Sequence, residues 1–208
     1  MSGYTVADEV WLKKDQLSIA VDPKVGGRVT ALRYKNIELL TGSEIHPINF
    51  GSTLWISPQS LWDWPPIAAH DSQPYQVIKS GAQNLSLEGP VGAGVSVEKH
   101  FSWTGHDLLQ LDYKLETTKD FEALAAWEVT RVPIEGLAFA PVNPETIKIV
   151  FGKVDYQLSR DTLWLPLDSK KPLIEGKVIA NGTEGWLAYV NNGLLYIKLL
   201  TRWLYSSV

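Results

Sequence analysis

Apolar and polar residues alternate with a period of two along almost the whole chain, and the 3.6-residue period of an amphipathic helix is nearly absent. In "DQLSIAVD", Asp15–Asp22, residues Leu17, Ile19 and Val21 fall on one face of an extended segment. The pattern recurs in "GGRVTALRYKN", "IELLTG", "PYQVIKS", "NLSLEG", "GVSVEKHFSWT", "DLLQLDYKLETT" and "FEALAAWEVTRVP". It continues in "ETIKIVFG", "VDYQLS", "TLWLPL", "GKVIANG", "GWLAYVNN" and "GLLYIKLLT". Turn chemistry marks the joints at Gly26-Gly27, Gly105-His106-Asp107, Asn181-Gly182 and Asn191-Asn192-Gly193. Many short strands joined by hairpins predict an all-β, antiparallel sandwich or barrel, because a parallel α/β sheet needs crossover helices and none is readable. With no repeat and no low-complexity linker, residues 1–208 are expected to form a single β-sandwich domain. "VPIEGLAFAPVNPE", with three prolines, reads as a long internal loop.

Charge and composition exclude several functions. The net charge is −4 and no run of Lys or Arg occurs, so no nucleic-acid partner is expected. The absence of cysteine removes disulfides, thiolate metal sites and cysteine nucleophiles together. "MSGYTVADEVWLKKD" lacks the basic-then-apolar pattern of a secretory leader, and no apolar run approaches the roughly 18 residues of a membrane span. A cytoplasmic protein with no membrane partner is the expectation. No His-x-His, no His-x-x-x-His and no acidic calcium loop is present, so no metal site is expected. "GPVGAGV" lacks the Lys-Ser/Thr of a phosphate loop, there is no nucleophile elbow, and no cofactor is implied.

"LSIAVDPKVGGRVTALRYKNIELLTG" resembles the opening of the aldose 1-epimerase (galactose mutarotase) superfamily: strand, Gly-Gly-Arg, strand, then "NIELL". "GVSVEKHFSWTGHDLLQLDYKLETTKD" is similar to the middle of that fold, and "WISPQSLWDWPP" with "AAWEVTRVP" resembles a bacterial branch distinct from the sugar epimerases themselves. The resemblance implies an antiparallel supersandwich of the galactose mutarotase-like type, with a carbohydrate site on its concave polar side. In the epimerases a base takes the anomeric proton while an acid, usually histidine, protonates the ring oxygen. The base is a glutamate near the end of the fold. Such domains usually run longer, so the chain, which closes on "IKLLTRWLYSSV", is expected to lack the last strands; the histidine motifs of the epimerases are not recognisable.

A sugar presents an apolar C–H face and a rim of hydroxyls, and asks for an aromatic platform with polar partners. Nine Trp residues are several times ordinary usage, and most of them suit a sandwich core. Trp62 and Trp64 differ, because "SPQSLWDWPP" is a proline-bounded loop. They are candidate platforms, with Gln59 and Asp63 as hydroxyl partners; the alternative is a loop that plugs one end of the sandwich with both indoles buried. In "AAWEVTRVP", Trp127, Val129 and Arg131 share a face, so Arg131 is a candidate grip on a carboxylate or hydroxyls. Arg28 and Arg33 are expected on opposite faces of their strand, and Arg28, beside the glycine pair, is the preferred substrate contact.

For acid–base chemistry, Glu98 and His100 share the polar face of "GVSVEKHFSW", about 7 Å apart along the strand. The alternative is an ordinary solvated Glu–His neighbour pair. His70 is a candidate acid at the mouth of the pocket and Glu128 a candidate base; His46 and His106 receive no role. Two functions follow: a carbohydrate-binding isomerase acting as an epimerase on a free sugar or sugar acid, or a non-catalytic carbohydrate-binding or scaffold domain. The apolar "LLYIKLLTRWLYSSV" predicts an open sheet edge and a homodimer formed through it.

Overall fold

Cross-strand pairing follows the alternation. The computed structural model describes residues 8–105, 107–170 and 176–200. His106, and the "TRWLYSSV" part of the segment on which a dimer was expected, lie outside them. Every strand pair among the described residues is antiparallel, so the fold is all-β, as the period-2 pattern requires. The chain divides after Val132 into two compact units.

The first unit contains β1 (Val10–Lys14), β2 (Leu17–Asp22), β3 (Arg28–Tyr34), β4 (Ile37–Glu38), β5 (Ser52–Ser57), the single helical turn α1 (Ala68–Asp71), β6 (Gln76–Ser80), β7 (Asn84–Glu88), β8 (Val95–Thr104), β9 (Leu108–Thr117) and β10 (Ala125–Thr130). One sheet has the order β1-β2-β3-β5-β10 with β4 on β3; the other runs β6-β7-β8-β9. Leu12, Ile19, Val21, Val29 and Leu54 of the first sheet share a core with Leu85, Leu87, Val97, Phe101 and Trp103 of the second. Each such side chain contributes about 1.5–3 kcal/mol by leaving water. These residues make the unit a sandwich.

Two departures from simple alternation shape it. Val21 pairs with Val29 and Ala20 with Ala31, so Thr30 is an extra residue in β3. The bulge re-phases the strand. Arg28 and Arg33 consequently emerge on the same side of the sheet, away from the core, which corrects the expectation of opposite faces. Second, β8 buries every other residue from Val95 to Trp103, and Lys99 stands in that apolar row, 1% exposed. Its Nζ donates to the carbonyls of Gly26 (2.6 Å) and Gly27 (3.4 Å) and lies 4.9 Å from the Tyr75 ring. Gly26 has φ +69°, and a Cβ there would come 2.2 Å from the Asp71 carbonyl oxygen, so the turn that Lys99 ties down tolerates only glycine.

The second unit contains β11 (Gly136–Pro141), β12 (Lys148–Gly152), β13 (Gln157–Ser159), β14 (Thr162–Leu167), β15 (Gly176–Ile179), β16 (Trp186–Asn191) and β17 (Leu194–Leu199). Five strands form a sheet of order β13-β14-β11-β16-β17, and β12 pairs with β15. The proline-rich segment expected to be a loop thus supplies the central strand, β11. Its prolines spare the middle of the ladder: Pro133 precedes it, Pro141 is its last rung, opposite Thr162, and Pro144 opens the 3-10 turn that follows. Phe139 of β11 stacks on Trp164 at 4.7 Å and meets Trp186 edge-on at 6.0 Å. Among the described residues no helix is long and apolar enough to cross a membrane.

Candidate functional site

β5 and β10 pair so that Trp55 and Trp127 stand directly opposite, with ring centroids 5.4 Å apart and planes at 88°. Opposed residues share a face. This face points away from the sandwich core, because Leu54 points into it. After Ser57 the chain leaves the sheet through a 3-10 turn, Gln59–Leu61, and returns two more indoles to Trp55. Trp62 packs edge-on at 5.6 Å and Trp64 at 6.0 Å. Their environments differ sharply. Trp62 is 9% exposed and its Nε1 donates to the Ile56 carbonyl at 2.9 Å, whereas Trp64 is 57% exposed. The loop therefore does both things the sequence left open: one indole plugs, the other faces solvent. Gln59 and Asp63 are exposed on the same loop.

Behind Trp55 sits a buried charge pair. Oδ1 of Asp71 accepts from Trp55 Nε1 (2.8 Å) and from Arg28 Nη2 (2.9 Å). Arg28, 1% exposed, also donates to the carbonyls of Ile48 (2.7 Å), Phe50 (3.0 Å) and Asp71 (3.2 Å), and lies 4.4 Å from the Phe50 ring. Burial lowers its pKa from the usual value and Asp71 opposes the change. Arg28 is a strut inside the protein rather than a group a ligand reaches.

Arg131 follows β10 and lies with its Cζ 5.2 Å from the Trp55 ring. Nη2 donates to Oδ1 of Asn49 at 3.0 Å, and Nη1 is buried with no hydrogen-bond partner. Burial, then the charge of Arg28, brings its pKa down to about 10 against the pull of Asp71, so it stays cationic at neutral pH. Asp71 thus pairs with one guanidinium, that of Arg28, and attracts a second, that of Arg131, without touching it.

The acid–base candidates are not gathered here. Glu98 and His100 do share a face of β8, with His100 Nε2 3.3 Å from Glu98 Oε2, but it is the face opposite Lys99 and the core. Lys114 reaches Glu98 at 2.9 Å and Glu116 at 2.6 Å, and Ser86 Oγ lies 3.0 Å from His100 Nδ1. The Lys114 hydrogen bond holds the Glu98 carboxyl below its ordinary range. This pair is a partly solvated outer-face network, separated from the indoles by a sheet and the core. His70, expected at a pocket mouth, is 1% exposed in α1 with Nε2 3.0 Å from the Val95 carbonyl oxygen. Burial lowers the His70 pKa, with Lys99 adding to it, against the hydrogen bond to the Val95 carbonyl. Glu128 pairs opposite Leu54, on the other face of β10 from Trp127, where its carboxylate accepts from Thr130 Oγ1 (3.0 Å) and the Ser52 hydroxyl.

Asp71, Asn49 and Lys99 were not singled out from the sequence, nor was Trp55 as the hub of the cluster. Among the described residues no group of three or more His, Asp or Glu is placed to hold a metal ion.

No family model matches the chain, and no curated protein matches it. Among solved structures it is similar to the 4-α-glucanotransferase of Thermococcus litoralis, at 14% identity and a TM-score of 0.43, over 83% of this chain and 36% of that one. It is also similar to an aldose 1-epimerase candidate from Escherichia coli K12, at 14% identity and a TM-score of 0.40, over 91% of this chain and 72% of that one. The chain thus spans about a third of the glucanotransferase's length.

Proposed function

We propose that the first unit binds carbohydrate on the face of the indole cluster left open at Trp64, and that it does so without epimerase chemistry. One observation carries the reading: Trp64 stands 57% exposed and 6.0 Å from Trp55, over whose ring Arg131 lies. An indole left in water beside three packed ones is a platform for a ligand with an apolar face, and covering it gains about 25 cal/mol per Å². Arg131 adds a cationic guanidinium over the Trp55 ring, and Asp63 and Gln59 add exposed polar groups for a hydroxyl rim. The mutarotase-like order of the sequence segments supports the same class of ligand, a free sugar or sugar acid.

Ring opening needs an acid and a base within hydrogen-bond reach of the sugar, roughly 2.6–3.2 Å. Glu98 and His100 face away behind the core, His70 is sealed, and Glu128 points to the other side of its strand. Binding is therefore favoured over turnover. Tryptophan fluorescence, followed while neutral and acidic mono- and disaccharides are titrated, tests it. A saturable change is expected, lost in Trp64→Ala, together with anomer interconversion by NMR no faster than in buffer. Silence toward every sugar would remove the binding assignment, and accelerated interconversion would restore the epimerase.

A further inference from the structure

A second cleft opens on the outer side of the first sheet, and from its geometry we infer that it binds an oligosaccharide bearing carboxylates. Lys13, Ser18, Arg33 and Glu38 lie in one cross-strand row over β1, β2, β3 and β4. With neighbouring strands about 4.8 Å apart, the backbones of Lys13 and Arg33 stand roughly 10 Å apart. Only the small Ser18 lies between them. The gap is a cleft of about 520 Å³, lined also by Trp11, Lys35 and Asn36.

Its walls are set before any ligand arrives. Trp11 stands opposite Ala20, which in turn faces Ala31, and these alanines are 0% and 6% exposed beneath it. Trp11 Nε1 donates to Oε2 of Glu9 at 3.0 Å, and Oε1 of Glu9 accepts from Thr30 Oγ1 at 2.5 Å, which fixes the ring. Arg33 lies 4.9 Å and Lys13 Nζ 5.9 Å from the indole centroid. The single carboxylate in the lining is already spent. Oε1 of Glu38 accepts from the backbone N–H groups of Leu32 (2.9 Å), Leu39 (3.2 Å) and Leu40 (3.1 Å), and Oε2 accepts from Arg33 Nε at 3.0 Å. Glu38 thereby aims the guanidinium and leaves its two terminal nitrogens for a ligand. Lys13 and Lys35 have no carboxylate partner among the described residues.

Three cations against one engaged carboxylate make a positive patch on a chain of net charge −4. A guanidinium fork matches a carboxylate in two parallel hydrogen bonds. Ser18 and Asn36 suit hydroxyls, and the free part of the indole suits a C–H face. Three cations around a short cleft do not make the continuous basic stripe that tracks a nucleic-acid backbone. A short acidic glycan, with one carboxylate toward Arg33 and another toward Lys13, fits the row. This site shares no residue with the Trp64 face.

Calorimetry with a galacturonate tetramer, its methyl-esterified form and a short oligothymidylate tests the assignment. The acid is expected to bind, and the ester to bind about tenfold more weakly or worse. Affinity for the acid should also fall with added salt. Lys13→Gln and Arg33→Gln are each expected to weaken it at least about fivefold while leaving the thermal midpoint and the Trp64 fluorescence response as they were. Absence of binding, equal affinity for the ester, or unchanged affinity in both variants would overturn the site. Equal or tighter binding of the oligonucleotide would overturn the glycan as its occupant.

Discussion

The indole N–H of Trp55 and the guanidinium of Arg28 converge on one oxygen, Oδ1 of Asp71, at 2.8 and 2.9 Å. Asp71 is 4% exposed, so its carboxylate is the joint between the indole cluster and the body of the sheet. Asp71→Asn keeps the shape and removes the charge, leaving a buried guanidinium uncompensated. Unfolding in urea should show a loss of about 3–5 kcal/mol. Replacing both partners, Arg28→Met with Asp71→Leu, should recover little of it, because the Trp55 N–H and the Ile48 and Phe50 carbonyls then lose their partners. A single variant as stable as the wild type would mean the pair is not the joint described.

Lys99 gives the first unit a pH dependence of calculable sign. Burial, with Arg28 adding to it, brings the amine from 10.5 to about 7 in the folded chain. Between those values the unfolded chain holds a proton that the folded chain lacks, so stability rises with pH across that window. Below about 7 both states are protonated and the cost of burying the ammonium is fully present. The gain on going to high pH is of the order of a few kcal/mol. Lys99→Met should lack it, so the difference between wild type and variant, measured by urea midpoints from neutral to alkaline pH, should change steadily over the window. A constant difference would contradict the buried titration.

The two loop tryptophans should separate stability from binding. Trp62→Ala opens a cavity among packed rings and is expected to cost about 3–5 kcal/mol. Trp64→Ala, at an exposed position, should cost under about 1 kcal/mol while abolishing the sugar response. Calorimetric melting and fluorescence titration on the same two variants check both halves.

Glu98→Gln and His100→Ala touch only a partly solvated network on the outer face. Each should change stability by no more than about 1 kcal/mol and leave sugar binding at the Trp64 face intact. A loss of binding in either would tie that face to the site after all.

The architecture was legible because period-2 burial leaves a period-2 sequence: "NLSLEG" and "GVSVEKHFSW" buried the residues their alternation named. Legibility failed where a backbone or polar requirement overrode the pattern. Lys99 breaks an apolar row because two glycine carbonyls need a donor, and no periodicity reports that need. β11 was hidden by prolines that sit at its margins, the last of them on its final rung, and β5 by being buried on both faces, so that "STLWIS" shows no alternation. Within the candidate site, the proline-bounded loop pointed to Trp62 and Trp64. Their division into a buried ring and an open one depends on Trp55 and Trp127, which arrive from distant strands. Asp71 was overlooked beside His70 for a similar reason, since its partners Arg28 and Trp55 lie 43 and 16 residues away.

Thr30 has a consequence larger than its side chain. Because one surplus residue slips the phase of β3, a single strand offers Arg28 to the cluster behind Trp55 and Arg33 to the Trp11 cleft, both on one side of the sheet. A chain of this design shortened by that residue would have to turn one of the two cations into the hydrocarbon between the layers. The two surfaces are thus bound to each other by a count of backbone atoms, and a regular ladder on this strand could serve one of them but not both.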